Sequence, residues 1–160
     1  NCTLSTPDKP IDKTACVVFG GVEYATPKWM LSQMPQELKD KKTILVLPYT
    51  GDITQAKRIL GKTSIKSVLG FSQGGLKAWP ASGEYEFVGL IDPTTKEDSL
   101  RYHINDKRVH MIYNPSGWGF PEVVKCQKKA AKIMLGNAIL LNIGHREMPT
   151  EFFRRFGNYL

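Results

Sequence analysis

The stretch with the clearest chemical potential is Gly70-Phe71-Ser72-Gln73-Gly74-Gly75, which directly follows a strand-like run at residues 65–69. A Gly-x-Ser-x-Gly pattern after a strand predicts a sharp turn into a helix, the nucleophile elbow. Glycines are needed because the serine has a strained backbone, and side chains at positions 70 and 74 would collide across the turn. The elbow would expose the Ser72 hydroxyl and direct the Gln73 N–H into the same space. The alternative is a glycine-rich turn that packs closely or holds a phosphate at a helix N-terminus.

Six strand patterns must position this turn. Short apolar runs bounded by glycine or proline are typical of strands covered on both faces. They lie at residues 14–19, 43–47, 65–70, 86–91, 108–113 and 137–143.

Helical patterns alternate with these strands. Helices are predicted over 27–38 with a kink or break at Pro35, over 52–60, shortly after Ser72, over 121–135 with Gln127 on the core-facing side, and over 151–159 after a Thr150 cap. The alternation predicts an α/β fold with three layers: a mostly parallel sheet of about six strands with helices on both faces. We expect residues 1–13 to be an irregular lead-in or linker and residues 14–160 to form a single domain.

The carboxyl ends of the predicted strands collect the polar side chains that could react. Working residues of open parallel sheets lie outside these ends. Here they are Gly20-Gly21, Tyr49-Thr50, Ser72, Asp92, Asn114 and His145. Ser72 could attack a carbonyl, His145 could take and return its proton, and Asp92 could orient the imidazole and stabilise its cation. The alternatives are a surface or capping histidine and an Asp-Pro turn; Asp98 and Asp106 are reserve acids.

An oxyanion intermediate would need two N–H donors near Ser72. Gln73 is the first, and the amide of Gly21 or Val22 is the expected second, unless Gly20-Gly21 is only a turn that ends the strand.

Trp118 and Phe120 could line an acyl or aromatic pocket or belong to the core. Residues 93–107 are too polar for an apolar lid, so we expect an open site for soluble or polymer-borne esters rather than bulk lipid.

Composition narrows the class of protein. The net charge of +7 is spread along all 160 residues, so we expect no specific nucleic-acid partner. No apolar run approaches the roughly 18 residues of a membrane helix, which predicts a soluble protein. We expect no cofactor and no metal; Cys2, Cys16 and Cys126 lack metal-ligand spacing, and one disulfide with a third thiol stays open. The start at Asn1, without a leader pattern, suggests a processed or excised domain and leaves localisation and oligomeric state open.

The segment from Gly70 to Gly75 resembles the elbow of the carboxylesterase and acyl-protein thioesterase branch of the alpha/beta-hydrolases, and it is similar to the cutinase elbow. The resemblance extends as strand–helix order from about Ala15 to the end, with Gly144-His145 as its second specific motif. It implies a serine hydrolase of carboxylic esters or thioesters with a Ser72–His145–acid triad, in a minimal member of an eight-stranded family.

The acid departs from the pattern of this family. In most members it follows the strand after next from the serine, where this chain has Asn114-Pro115-Ser116. In pancreatic-type lipases it follows the very next strand, which points to Asp92. The alternative function is a non-catalytic binding or structural module that retains a degenerate hydrolase fold. A nucleotide or phosphate binder would leave His145 unused, and the sequence lacks the further elements of those fingerprints.

Overall fold

The computed structural model describes residues 2–10, 12–96, 106–117, 120–134 and 136–160. A seven-stranded sheet forms the centre, and its strands are β1 (Thr3–Ser5), β2 (Ala15–Phe19), β3 (Thr43–Leu47), β4 (Ile65–Phe71), β5 (Phe87–Ile91), β6 (Val109–Tyr113) and β7 (Ala138–Leu140). Their order is β1-β3-β2-β4-β5-β6-β7. All neighbours pair in parallel except β1, which is antiparallel to β3.

Six α-helices lie in the described ranges: α1 (Pro27–Ser32), α2 (Gln36–Lys41), α3 (Ile53–Leu60), α4 (Gly75–Ala78), α5 (Pro121–Ile133) and α6 (Met148–Phe156). The helix predicted over 27–38 is divided, with Pro35 preceding α2, because proline has no N–H to donate within a helix. The predicted cap of α3 is confirmed: the Asp52 carboxylate accepts a 2.8 Å hydrogen bond from the Gln55 N–H.

The two faces of the sheet each carry a separate apolar core. On one face α3, α4 and α5 contribute buried residues such as Ala56, Ala78 and Ala130. On the other, α1, α2 and α6 contribute Met30, Leu38 and Phe152. This is the predicted three-layer, mostly parallel arrangement, and the central strands β2 to β5 are apolar along most of their length because both of their faces are covered.

Three boundaries differ from the prediction. Residues Thr3–Ser5 are not irregular, because they pair with the open edge of β3 from Ile44 to Val46, a long-range contact without a local signal. The strand predicted over 137–143 stops at Leu140, because its only partner, β6, ends at Tyr113 opposite it.

The third difference is at the last helix, where Thr150 is not the cap. The helix begins at Met148, since Pro149 is well suited to a first turn. The Thr150 hydroxyl instead donates a 2.9 Å hydrogen bond to the side-chain oxygen of Gln33. This bond ties α6 to the end of α1.

None of the three cysteines, all of them described, is part of a disulfide. Cys16 is buried, and burial raises the pKa of its thiol to about 12. Within the described ranges, no helix has the length and apolar character needed to cross a membrane.

Candidate active site

The elbow at Ser72 has the strained geometry that its glycines predict. Ser72 has a φ of 54°, in the left-handed region, and it begins a short 3₁₀ turn that continues into α4. A Cβ at Gly70 would lie 2.3 Å from the Gly74 carbonyl oxygen, and one at Gly74 would lie 2.3 Å from the Phe19 carbonyl oxygen. Both positions therefore require glycine, because heavier side chains would overlap the backbone.

His145 and Asp92 meet at the same edge of the sheet. The Asp92 carboxylate is buried at the end of β5, and its Oδ2 lies 2.5 Å from His145 Nδ1. Because an ionised carboxylate only accepts hydrogen bonds, Nδ1 carries the proton and Nε2 is the basic nitrogen. The imidazole also stacks on Phe71, the residue before Ser72, with ring centroids 4.7 Å apart.

The other Asp92 oxygen is held by two donors. Asp92 Oδ1 accepts 3.0 Å hydrogen bonds from the backbone N–H of Asn114 and from Nε2 of Gln127. Asn114 follows β6, where the sequence pattern placed the acid of most relatives, and Gln127 is fully buried in α5. From the sequence, Gln127 was predicted only to face the core. A glutamine on an otherwise apolar helix face was the one sign that it contacts a polar group.

The backbone N–H groups expected to bind the oxyanion differ in whether they already have an acceptor. The Gln73 N–H belongs to the first turn of the 3₁₀ segment, where amides have no acceptor inside the helix. The Gly21 amide donates a 2.9 Å hydrogen bond to the Ala25 carbonyl oxygen where the chain turns back at Glu23. The choice of Gly21 or Val22 as the second donor stays a prediction, and this bond favours Val22.

The loop that contains Gly21 lies directly against the elbow. A Cβ on Gly21 would be 3.2 Å from the Cβ of Ser72. This approach accounts for the glycine at position 21. A Cβ on Gly20, directly after β2, would instead lie 2.5 Å from the Ala25 carbonyl oxygen.

Of the reserve acids and the predicted pocket aromatics, the structure describes Asp106 and Phe120. Asp106 forms an ion pair with Arg108, with Oδ1 3.0 Å from Nε. Phe120 precedes α5 and is 66% exposed, so it is not a core residue. Asp98 and Trp118, and most of the polar connection before β6, lie outside the described residues.

Arg146 is a neighbour of the site that the sequence did not single out. Its guanidinium carbon lies 4.5 Å from the centroid of the Tyr24 ring and 5.9 Å from that of Trp29. Trp29 in turn contacts Phe71, with centroids 5.9 Å apart. These contacts fasten the segment that carries His145 to the loop before α1. Only its position directly after His145 could have drawn attention to it.

Solved structures share this architecture. The esterase domain of a Rhodothermus marinus protein matches with a TM-score of 0.74 and 11% identity, over 98% of this chain and 89% of that one. Est1E from Butyrivibrio proteoclasticus matches with a TM-score of 0.68 and 13% identity, over 99% and 93%. An alpha-beta serine hydrolase homologue from Coxiella burnetii matches with a TM-score of 0.67 and 9% identity, over 99% and 90%.

The chain has the alpha/beta-hydrolase fold. No protein-family model and no curated protein matches the sequence. In the described part of the chain the sheet has seven strands, one fewer than the eight that the sequence resemblance implied.

Proposed function

We propose that this alpha/beta-hydrolase is a serine hydrolase that cleaves a carboxylic ester or thioester through an acyl-enzyme. The observation that carries the proposal is the 2.5 Å contact between His145 Nδ1 and Asp92 Oδ2, at the sheet edge that also presents the strained Ser72. The contact is the acid–histidine half of a triad. Likeness to structures named as an esterase domain and a serine hydrolase homologue supports the same chemistry.

In the proposed acylation step, the Ser72 oxygen attacks the substrate carbonyl while its proton passes to His145 Nε2. Asp92 stabilises the resulting imidazolium through the Nδ1–H hydrogen bond. The N–H groups of Gln73 and Val22 are the proposed donors to the oxyanion. When the tetrahedral intermediate collapses, the bond to the leaving alcohol or thiol breaks, and His145 returns the proton to that group.

Deacylation repeats these roles with water as the nucleophile. His145 Nε2 accepts a proton from the water as it attacks the acyl carbonyl. The carbon–oxygen bond to Ser72 then breaks, the serine oxygen regains the proton from His145, and a carboxylic acid is released.

The proposed substrates are small or polymer-borne esters. Phe120 and Tyr49, which follow strands at the same edge of the sheet, are exposed rather than buried in a closed apolar chamber. Exposed aromatic rings suit contact with a substrate that arrives from solution.

A fluorophosphonate probe and a short-chain nitrophenyl ester test the function. We expect wild-type protein to be labelled and to hydrolyse the ester, and we expect Ser72→Ala to lose labelling and about 10⁶-fold in kcat. Ser64→Ala, at an exposed serine before β4, is the matched control and should retain both. Labelling that persists in Ser72→Ala would refute the assignment of the nucleophile.

The non-catalytic alternative predicts that no carboxylate is within hydrogen-bond reach of His145. The position of Asp92 argues against that alternative. The same test distinguishes the two functions, because a folded binding module would neither turn over the ester nor react with the probe.

A further inference from the structure

Gln127 is an unusual residue for its position in α5. It is completely inaccessible to solvent, and its buried neighbours on the helix are Cys126 and Ala130. Burying an amide without full hydrogen bonding lowers the stability of the folded protein. An apolar side chain of similar size would avoid this cost, so the polar group must be explained by what it contacts.

The contacts of Gln127 converge on the Asp92-Pro93 turn. Its Nε2 donates 3.0 Å hydrogen bonds to Asp92 Oδ1 and to the Pro93 carbonyl oxygen. Both acceptors lack hydrogens, so the nitrogen and not the oxygen of the amide must face them. Oε1 has no hydrogen-bond partner in the described part of the chain. The amide is therefore oriented entirely by this turn.

The turn itself is strained. Asp92 has a φ of 42°, which a residue with a side chain rarely adopts. Gln127 contacts both the side chain and the following carbonyl, so it resists relaxation of the backbone and rotation of the carboxylate. These hydrogen bonds, one of which is to a charged group, oppose the strain of the turn and offset the cost of the unpaired amide oxygen.

We infer that Gln127 is a positioning residue for the acid of the triad, an inference that rests on the proposed function. Gln127 and the Asn114 N–H both bind Oδ1, which orients the carboxylate so that Oδ2 faces His145. The acid follows β5 instead of β6. The donor comes from α5, whose Ala130 belongs to the same apolar cluster as Val88 and Leu90 of β5.

The inference is tested with two separate variants. One removes a glutamine–aspartate hydrogen bond at the site, and the other removes such a bond elsewhere, on the surface. Gln127→Met deletes the contact with Asp92 while it keeps an unbranched side chain. Gln36→Met is the control, since Gln36 Nε2 donates a 2.8 Å hydrogen bond to Asp40 on the exposed surface of α2. Gln127→Glu is a third variant, which keeps the shape but places a carboxylate beside Asp92.

We expect Gln127→Met to lose about 10–100-fold in kcat on the nitrophenyl ester, as for other residues that orient a catalytic group. KM should stay within about twofold, because the residue acts on the acid and not on the substrate. Gln127→Glu should have a still lower kcat, and the kcat of Gln36→Met should equal that of wild type. The melting temperature of Gln127→Met should change little, because removal of the unpaired amide oxygen offsets the loss of the donor to Asp92 Oδ1 and the Pro93 carbonyl oxygen.

A second readout does not depend on turnover. The proton between His145 Nδ1 and Asp92 should give a low-field ¹H NMR signal that disappears in Asp92→Asn. Gln127→Met should shift or broaden this signal, and Gln36→Met should leave it in place. An unchanged signal together with wild-type kcat in Gln127→Met would overturn the inference. If wild type hydrolyses no ester but the signal moves in Gln127→Met, the proposed function fails and the positioning role stands.

Discussion

The Asn114 side chain donates a 2.9 Å hydrogen bond from Nδ2 to the carbonyl oxygen of Ile143, two residues before His145. Its Oδ1 accepts from the N–H and the hydroxyl of Ser116, and its backbone N–H binds Asp92. One residue thus links the acid and the segment that carries the histidine. An aspartate at this position could not donate to Ile143, although the sequence resemblance points to this position for the acid.

We therefore expect Asn114→Asp to lower activity rather than to improve it. The new carboxylate would face the Ile143 carbonyl without a hydrogen between them, which should displace the His145 segment and reduce kcat about 10-fold or more. Asn142→Asp, an exposed amide-to-acid change nearby, is the control. Steady-state kinetics on the nitrophenyl ester decide the point; wild-type kcat in Asn114→Asp would show that the bond to Ile143 is dispensable.

The identity of the acid can be tested with paired substitutions. Asp92→Asn should reduce kcat about 10³–10⁴-fold, because an amide cannot hold the histidine in the correct tautomer or stabilise its cation. Asp106→Asn is the control, since that carboxylate forms an ion pair with Arg108 instead. Comparable losses in both variants would argue against a specific role for Asp92.

The close contact at Gly74 predicts a large effect on stability. In Gly74→Ala the new methyl group would overlap the Phe19 carbonyl oxygen at 2.3 Å and that of Gly20 at 2.5 Å. The backbone must shift, at a cost of about 3 kcal/mol, which corresponds to roughly 6–12 °C in melting temperature. Gly157→Ala, where an added Cβ meets no atom within 4 Å, should melt close to wild type. Thermal denaturation followed by circular dichroism provides the comparison.

The partly buried His110 should make the folded protein less stable in mild acid. Its ring stacks on Phe87 with centroids 4.8 Å apart, and burial lowers the pKa of the imidazole. In the unfolded chain the pKa is about 6.5, so below that pH the unfolded state binds more protons than the folded state. The contribution is complete above about pH 6.5 and is lost as the pH falls through the lower folded pKa.

His110→Phe removes this titration and keeps an aromatic ring. The melting temperature should therefore fall less between about pH 7.5 and about pH 5.5 in the variant than in wild type. An equal fall in both proteins would show that His110 is protonated without cost in the folded state.

Much of the architecture could be predicted because its determinants are local. Apolar runs, Pro35 and the Asp52 cap act within a few residues, and the Gly70–Ser72–Gly74 spacing dictates a sharp turn by backbone sterics alone. The rule that parallel strands end at one edge was enough to place Ser72, Asp92 and His145 on that edge before any coordinates were known.

Only the tertiary structure decided which groups touch. The hydrogen bonds of Asp92 to Gln127 and Asn114 join residues 35 and 22 positions apart, and their geometry depends on how α5 packs on the sheet. The Gly21 amide donates to the Ala25 carbonyl oxygen within a turn, and β7 ends at Leu140, opposite the last residue of β6. Distances and hydrogen-bond partners of this kind arise from packing between distant segments, so no local pattern in the chain encodes them.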